Sequence, residues 1–289
     1  MQLRPALEWL SDEFALGPDL SRNLRAIYAA RPPDGKQFYI SLVRSIGNPN
    51  FLHELGYTQM KPGDSGFQIL AAFRFWNIIE YWFPYRDVLG ENWDAVLEEA
   101  IPKIALAKTR RSYEQELMML IARAHDTHAN LWSSLGERPP TGPCSVPVSL
   151  RFIENEAVVS SYLSAEAEHS SELKPGDIAS ELDGIPISTL VERWAPYYAA
   201  SNEPTRLRDV VTSLTRGECG DVAIRVRRDN AELSLKGQRV PNSGLDLSTI
   251  GANDLAGETF RRLSDDVAYI KIRSPKFASI SRPPKTQKA

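Results

Sequence analysis

Cysteine is scarce in this chain, with only Cys144 and Cys219 among 289 residues. Two thiols cannot build a disulfide framework; free thiols are the expected state, and a single bridge is the alternative. Histidine is scarce as well, with four residues, so metal ligation has little to draw on. His125 and His128 have an i, i+3 spacing, but a zinc site needs at least one further ligand. His53, His169 and the two cysteines stand in unrelated contexts, so neither a metal nor another cofactor is expected. No sign of charge dominates. Lys and Arg number 34 against 37 Asp and Glu, a net charge of -3, which leaves no electrostatic footprint for nucleic acid or an anionic membrane. The most apolar stretch, residues 67–83, has 13 apolar residues in 17 and is interrupted by Arg74 and Glu80. A membrane span needs about 20 apolar residues with few charges, so this stretch is expected to be a buried core helix and no membrane span is expected. The first ten residues lack an apolar h-region and a small-residue cleavage site. No signal peptide is expected in this chain, and a bacterial cytoplasm and a bacterial envelope both stay open as compartments.

What is present is an ordinary globular composition, 42% apolar and 25% charged, over a length that suits about two domains of roughly 150 residues. Residues 1–140 read as a mainly helical domain with a looser, partly extended beginning. Pro62-Gly63-Asp64-Ser65 is a turn into the aromatic helix, with Ser65 and Gln68 spaced as a capping box. Asn92-Trp93-Asp94 opens a second helical stretch, which Pro102 is expected to break or kink. Ser112 and Gln115 have capping-box spacing for a third helix, which carries Tyr113, Leu117, Leu120, Ile121 and Ala124 on one face and ends at His125-Asp126-Thr127-His128.

Pro139-Pro140-Thr141-Gly142-Pro143 reads as a linker, and beyond it the pattern changes. Residues 145–151 and 156–161 are short and Val-rich, as strands are. Leu173-Lys174-Pro175-Gly176-Asp177-Ile178 leads to a turn at Asp183-Gly184. Residues 188–214 read as an interrupted helix. Residues 222–227 and 231–235 form a hairpin around Asp229-Asn230. Residues 267–272 alternate like a strand, and residues 281–289 carry no apolar residue except the terminal Ala, the composition of disorder. The fold class is therefore α+β: a helical domain (1–140), a β-rich domain (145–240), and an incomplete last piece (255–289) whose lone strand would open a further domain.

Three segments in this order resemble the C-terminal processing (tail-specific) serine peptidases, in their tricorn-like branch. The first is Phe73-Arg74-Phe75-Trp76-Asn77 with Tyr81-Trp82-Phe83-Pro84-Tyr85, followed by Trp93-Asp94 and Ile101-Pro102-Lys103; it is similar to the helical domain that precedes the catalytic core. The second is the Leu-Lys-Pro-Gly-Asp-Ile…Asp-Gly string between Leu173 and Gly184, similar to a PDZ domain. The third is the strand at 267–272, similar to the one that opens an α/β catalytic core. The resemblance implies a serine-type endopeptidase acting in proteolysis, with a PDZ module for peptide or protein C-termini. It also implies a nucleophilic Ser on a strand-to-helix turn, beyond a Gly-rich stretch. No such stretch follows residue 272, so the chain is read as a truncated portion that stops before the nucleophile and is inactive alone.

By the same resemblance the general base is a His at the end of a helix before the PDZ module, the place of His128, with Thr127 beside it to orient the network. The competing reading of His128 is a cation at a helix C-terminus. Asp126 reads as a turn residue rather than a triad acid. Gly63-Asp64-Ser65-Gly66 imitates the nucleophile motif of trypsin-like proteases, but Ser65 reads as a helix cap. Trp76, Trp82, Phe83 and Tyr85 read as core. The other function class is a non-catalytic peptide-binding or scaffold protein. Oligomeric state stays open.

Overall fold

The computed structural model describes residues 7–31, 38–247 and 258–271. Residues Met1–Asp246 form one compact unit and Leu247–Ala289 another. The first unit begins with two short helices, α1 (Glu13–Leu16) and α2 (Pro18–Ala29), and a hairpin of β1 (Ile40–Leu42) with β2 (Pro49–Phe51). Three longer helices follow: α3 (Ser65–Trp82), α4 (Trp93–Leu106) and α5 (Arg110–Ala122). Each starts at a side chain that accepts an otherwise orphaned backbone N–H. Asp64 caps α3 by accepting from Phe67. This corrects the expected Ser65–Gln68 capping box by one residue: Ser65 instead donates to the Ala105 carbonyl at 2.7 Å, and Gln68, wholly buried, donates to the Ala107 carbonyl at 2.9 Å. Asn92 caps α4. The capping box of α5 is Thr109 with Ser112, each side chain accepting from the other's backbone N–H, so that helix starts three residues before the expected Ser112 cap.

Pro102 does not break α4, which continues to Leu106. The proline lies on the solvent side, where the carbonyl that loses its N–H partner can be hydrated, while Trp93, Val96 and Ile104 of the same helix are buried. The helical core joins these to Ala72, Ile79, Tyr113 and Leu120. At its centre two indoles clamp the helices together. Trp76 Nε1 donates to the Trp93 carbonyl at 2.9 Å, and Trp93 Nε1 donates to the Trp76 carbonyl at 3.1 Å. Tyr85 departs from the expected core role and is exposed.

The proposed linker is not loose. Pro139 and Pro140, joined by a cis bond, are buried, and Gly142 runs so close to the Gly217 backbone that a Cβ there would collide with it. Immediately afterwards Cys144 is bonded to Cys219 with Cα atoms 5.1 Å apart. The expectation of free thiols is thereby overturned. Residues 75 apart in sequence meet because Cys144 and Gly217 form a two-way backbone bridge that places the side chains side by side.

The β-rich part is a seven-stranded antiparallel sheet ordered β3-β9-β8-β6-β5-β4, with β7 paired to β6. Its strands are β3 (Cys144–Ser145), β4 (Val148–Ile153), β5 (Glu156–Tyr162), β6 (Ile178–Leu182), β7 (Ile185–Pro186), β8 (Gly220–Arg228) and β9 (Ala231–Pro241). Three tight turns, at Glu154-Asn155, Asp183-Gly184 and Asp229-Asn230, place both central residues at positive φ, the geometry that matches strand twist in two-residue hairpins. Val222, Ile224 and Val226 alternate inward along β8. They meet the inner faces of α7 (Ile187–Trp194) and α8 (Glu203–Val211), which bury Ile187, Leu190, Val191, Val210 and Val211. The short α6 (Ala165–Ser170) completes this part.

The second unit's described residues hold an antiparallel hairpin of β10 (Phe260–Arg262) with β11 (Ala268–Ile270). The strand expected to stand alone at 267–272 therefore has a neighbour, with Arg261 lying over the Tyr269 ring at 5.5 Å. Ile272 and the tail 281–289 lie outside the described residues. Taken together, the described chain is mixed α and β with one large antiparallel sheet. Among the described residues no helix is long and apolar enough to cross a membrane.

Candidate functional site

The residues singled out for chemistry sit where α5 gives way to the chain that crosses toward the sheet. α5 ends at Ala122 with Arg123 as its cap, and His125, at positive φ, turns the chain away. His128 thus lies beyond the last turn of the helix, so the helix-capping alternative does not describe it.

Its imidazole is held by its neighbour in sequence. Asp126 Oδ1 accepts from the His128 backbone N–H at 2.9 Å and contacts His128 Nδ1 at 3.0 Å. Asp126 is therefore both the turn residue the sequence suggested and the carboxylate on the ring, a second role the sequence reading set aside. A carboxylate beside Nδ1 places the proton there and leaves the Nε2 lone pair outward. The ring is 96% exposed, and Nε2 has no hydrogen-bond partner among the described residues.

Thr127 points the other way. Its Oγ1 lies 3.4 Å from Ser201 Oγ and accepts weakly from the Ser201 backbone N–H, also at 3.4 Å. Ser201 follows the buried run Tyr198, Ala199, Ala200. A second polar chain ties the same loop down. Asn130 Nδ2 donates to the Thr127 carbonyl at 2.7 Å, Arg138 Nη1 donates to Asn130 Oδ1 at 3.0 Å, and the Arg138 guanidinium lies 4.3 Å over the Tyr198 ring. The turn is consequently fastened from two sides, while the Nε2 edge of the His128 ring faces solvent.

His125 does not join His128. Its Nε2 lies 2.7 Å from Glu91 Oε1, and Arg123 Nε donates to the other oxygen of Glu91 at 2.6 Å. The hydrogen bond from Arg123 holds the Glu91 carboxyl below its ordinary range; burial opposes this and His125 adds to it. The two rings are committed to different carboxylates, and among the described residues no group of three or more His, Cys, Asp or Glu could hold a metal ion.

The Leu173–Asp177 string forms a structural turn. Asp177, 1% exposed, takes a two-pronged ion pair from Arg228 at 2.7 and 2.8 Å and accepts from the Lys174 N–H at 2.8 Å. The same Arg228 donates to the Glu172 carbonyl at 2.8 Å. The match of Arg228 to Asp177, 51 positions away, has no local signature. Ser201 was equally invisible, since nothing in its neighbourhood marks it as a contact of Thr127. At the sheet margin, β4 ends the strand order with β5 on one side and no strand on the other among the described residues.

No family model matches this chain, and no curated protein matches it. Among solved structures, one of a cpaf mutant is similar at 14% identity and a TM-score of 0.45, covering 61% of this chain and 34% of that one. Another, the photosystem II D1 C-terminal processing protease, is similar at 18% identity and a TM-score of 0.31, covering 61% of this chain and 44% of that one. The chain spans less than half the length of each.

Proposed function

We propose that this chain carries the base-bearing portion of a serine-type endopeptidase of the tail-specific kind, with its β-rich part serving as a PDZ-like receptor for peptide C-termini. One observation carries the reading: the His128 ring, oriented through Nδ1 by Asp126 and open at Nε2. That is the arrangement a general base needs to take a proton from an attacking hydroxyl and return it to a leaving amine. Thr127 serves as a positioning residue that anchors the turn to Ser201. The hydroxyl nucleophile comes from elsewhere in the working enzyme. The margin of β4 that pairs with no strand among the described residues, beside α8, suits an extended peptide added as a further strand.

The test uses the longest polypeptide that the gene encodes, with unfolded casein as substrate. His128→Ala should lower kcat by about 100- to 10,000-fold. Undiminished turnover in that variant removes His128 from the chemistry.

A second reading, a peptide-binding protein without chemistry, is favoured by one fact. Among the described residues no hydroxyl or thiol is hydrogen-bonded to the His128 ring. It predicts no turnover in any form of the protein. Both readings predict binding of peptides with apolar C-termini, with a Kd on the order of 10–100 μM from the modest area one added strand buries. Equal binding of free-acid and C-amidated peptides would remove carboxylate recognition from both.

A further inference from the structure

Beside the end of α5, a cleft of about 700 Å³ lies between α4 and α5 on one side and α7, the turn Ala195–Tyr197 and α8 on the other. That size suits a small organic ligand. Val96, Ala100, Met119, Leu120, Val191 and Pro196 give it apolar walls.

The charges around these walls are unequally committed. Every cation that lines the cleft already has an acidic partner: Lys103 is paired with Glu99 at 2.8 Å, Arg123 with Glu91 and Glu99, and Arg206 with Glu203. His125 is held by Glu91. Two lining carboxylates, Glu116 and Glu192, have neither an ion pair nor a hydrogen bond among the described residues. Glu192 is exposed, whereas Glu116 is half-buried. Burial lifts the Glu116 carboxyl above its ordinary range against the pull of Lys103. The Tyr197 phenol is raised by its own burial and, in addition, by the Glu116 charge. A carboxylate partly withdrawn from water without a partner is costly, and an incoming cation would recover that cost.

We propose that this cleft is a binding site for an apolar organic cation, a primary ammonium that reaches Glu116 on a hydrocarbon body lying against the apolar walls. The ammonium can belong to a free amine or to the lysine side chain of a peptide. The proposal is independent of the peptidase reading and stands or falls without any turnover measurement.

The purified chain is titrated calorimetrically with 4-phenylbutylamine, with its neutral counterpart 4-phenylbutanol, and with an acetylated, amidated Leu-Lys-Phe tripeptide. The amine should bind at least about tenfold more tightly than the alcohol, the worth of one charge-assisted contact. Glu116→Gln should bring the amine to the level of the alcohol while leaving the alcohol unchanged. Tighter binding of the tripeptide identifies a lysine side chain as the source, and tighter binding of the amine identifies a free amine; either outcome sustains the site. Equal binding of amine and alcohol by the unaltered chain overturns it. So does failure of both to bind, or a tenfold preference that survives Glu116→Gln. Because the amine–alcohol comparison is made on the unaltered chain, poor folding of the variant cannot rescue the proposal.

Discussion

Residues 65–124 and residues 144–241 each enclose an apolar core, yet they fasten it differently. In the helical region, aromatic and amide side chains cross between elements to reach backbone carbonyls: Trp76 and Trp93 bond each other's main chain, and Gln68 bonds Ala107. In the sheet region the backbone ladder does the fastening. The interior there is almost wholly aliphatic, and the buried charge of Asp177 is neutralised by Arg228 at the sheet's end. Helices satisfy their own backbone groups internally, so neighbouring helices need side chains to specify how they meet. Strands specify their neighbours through register. In the first region, therefore, much of the packing is concentrated in single large side chains. In the second it is spread over many small ones, joined by the Cys144–Cys219 bond and one buried charge pair.

The largest expected effect follows from that concentration. Trp93 is fully buried, so Trp93→Ala leaves a cavity and removes the indole bond that ties α4 to the Trp76 carbonyl of α3. Loss of about 3–5 kcal/mol is expected for removing a buried Trp side chain, measured as a shift in the denaturant midpoint. A loss below about 1 kcal/mol would mean the helical core is as distributed as the sheet's, and the contrast would fail.

The sequence made much of this contrast legible, because the relevant signals are local. The aromatic helix, the Asn92 cap and the Asp229-Asn230 and Asp183-Gly184 turns all rest on neighbours a few residues apart. The starts of α3 and α5 were misplaced because residues within one turn compete for the cap: Asp64 with Ser65, and Thr109 with Ser112. Pro102 misled because the sequence does not say which face of α4 meets solvent. The His128 turn was half legible. Thr127 and His128 were singled out by resemblance, but the Asp126 contact depends on the backbone folding back on itself after α5. The Cys144–Cys219 bond, the Thr127–Ser201 contact, the Asp177–Arg228 pair and the cleft beside Glu116 all join residues from distant parts of the chain, where spacing carries no signal.

In the sheet region the sharpest probe is Asp177→Asn, which keeps the shape of the side chain and removes its charge. Arg228 would then be left charged beside an amide that can no longer accept its two-pronged bond, and about 3 kcal/mol of stability should be lost, toward the low end for breaking a buried ion pair because Arg228 is partly exposed. The pH dependence separates charge from packing. Burial pushes the Asp177 carboxyl up, but the hydrogen bonds from Arg228 and the Lys174 N–H outweigh it, and the group sits below its ordinary range in the folded chain. A carboxyl depressed on folding contributes stability above its unfolded value, about 3.9, and that stability disappears as pH falls through the folded value. The unaltered chain should therefore lose its advantage over Asp177→Asn as pH is lowered from 6 through about 4 and beyond, while Trp93→Ala should stay equally destabilised across the same range. Chemical denaturation at several pH values measures both. If the Asp177→Asn deficit were constant with pH, the pair would be contributing shape rather than charge, and the sheet would be fastened in the same way as the helices.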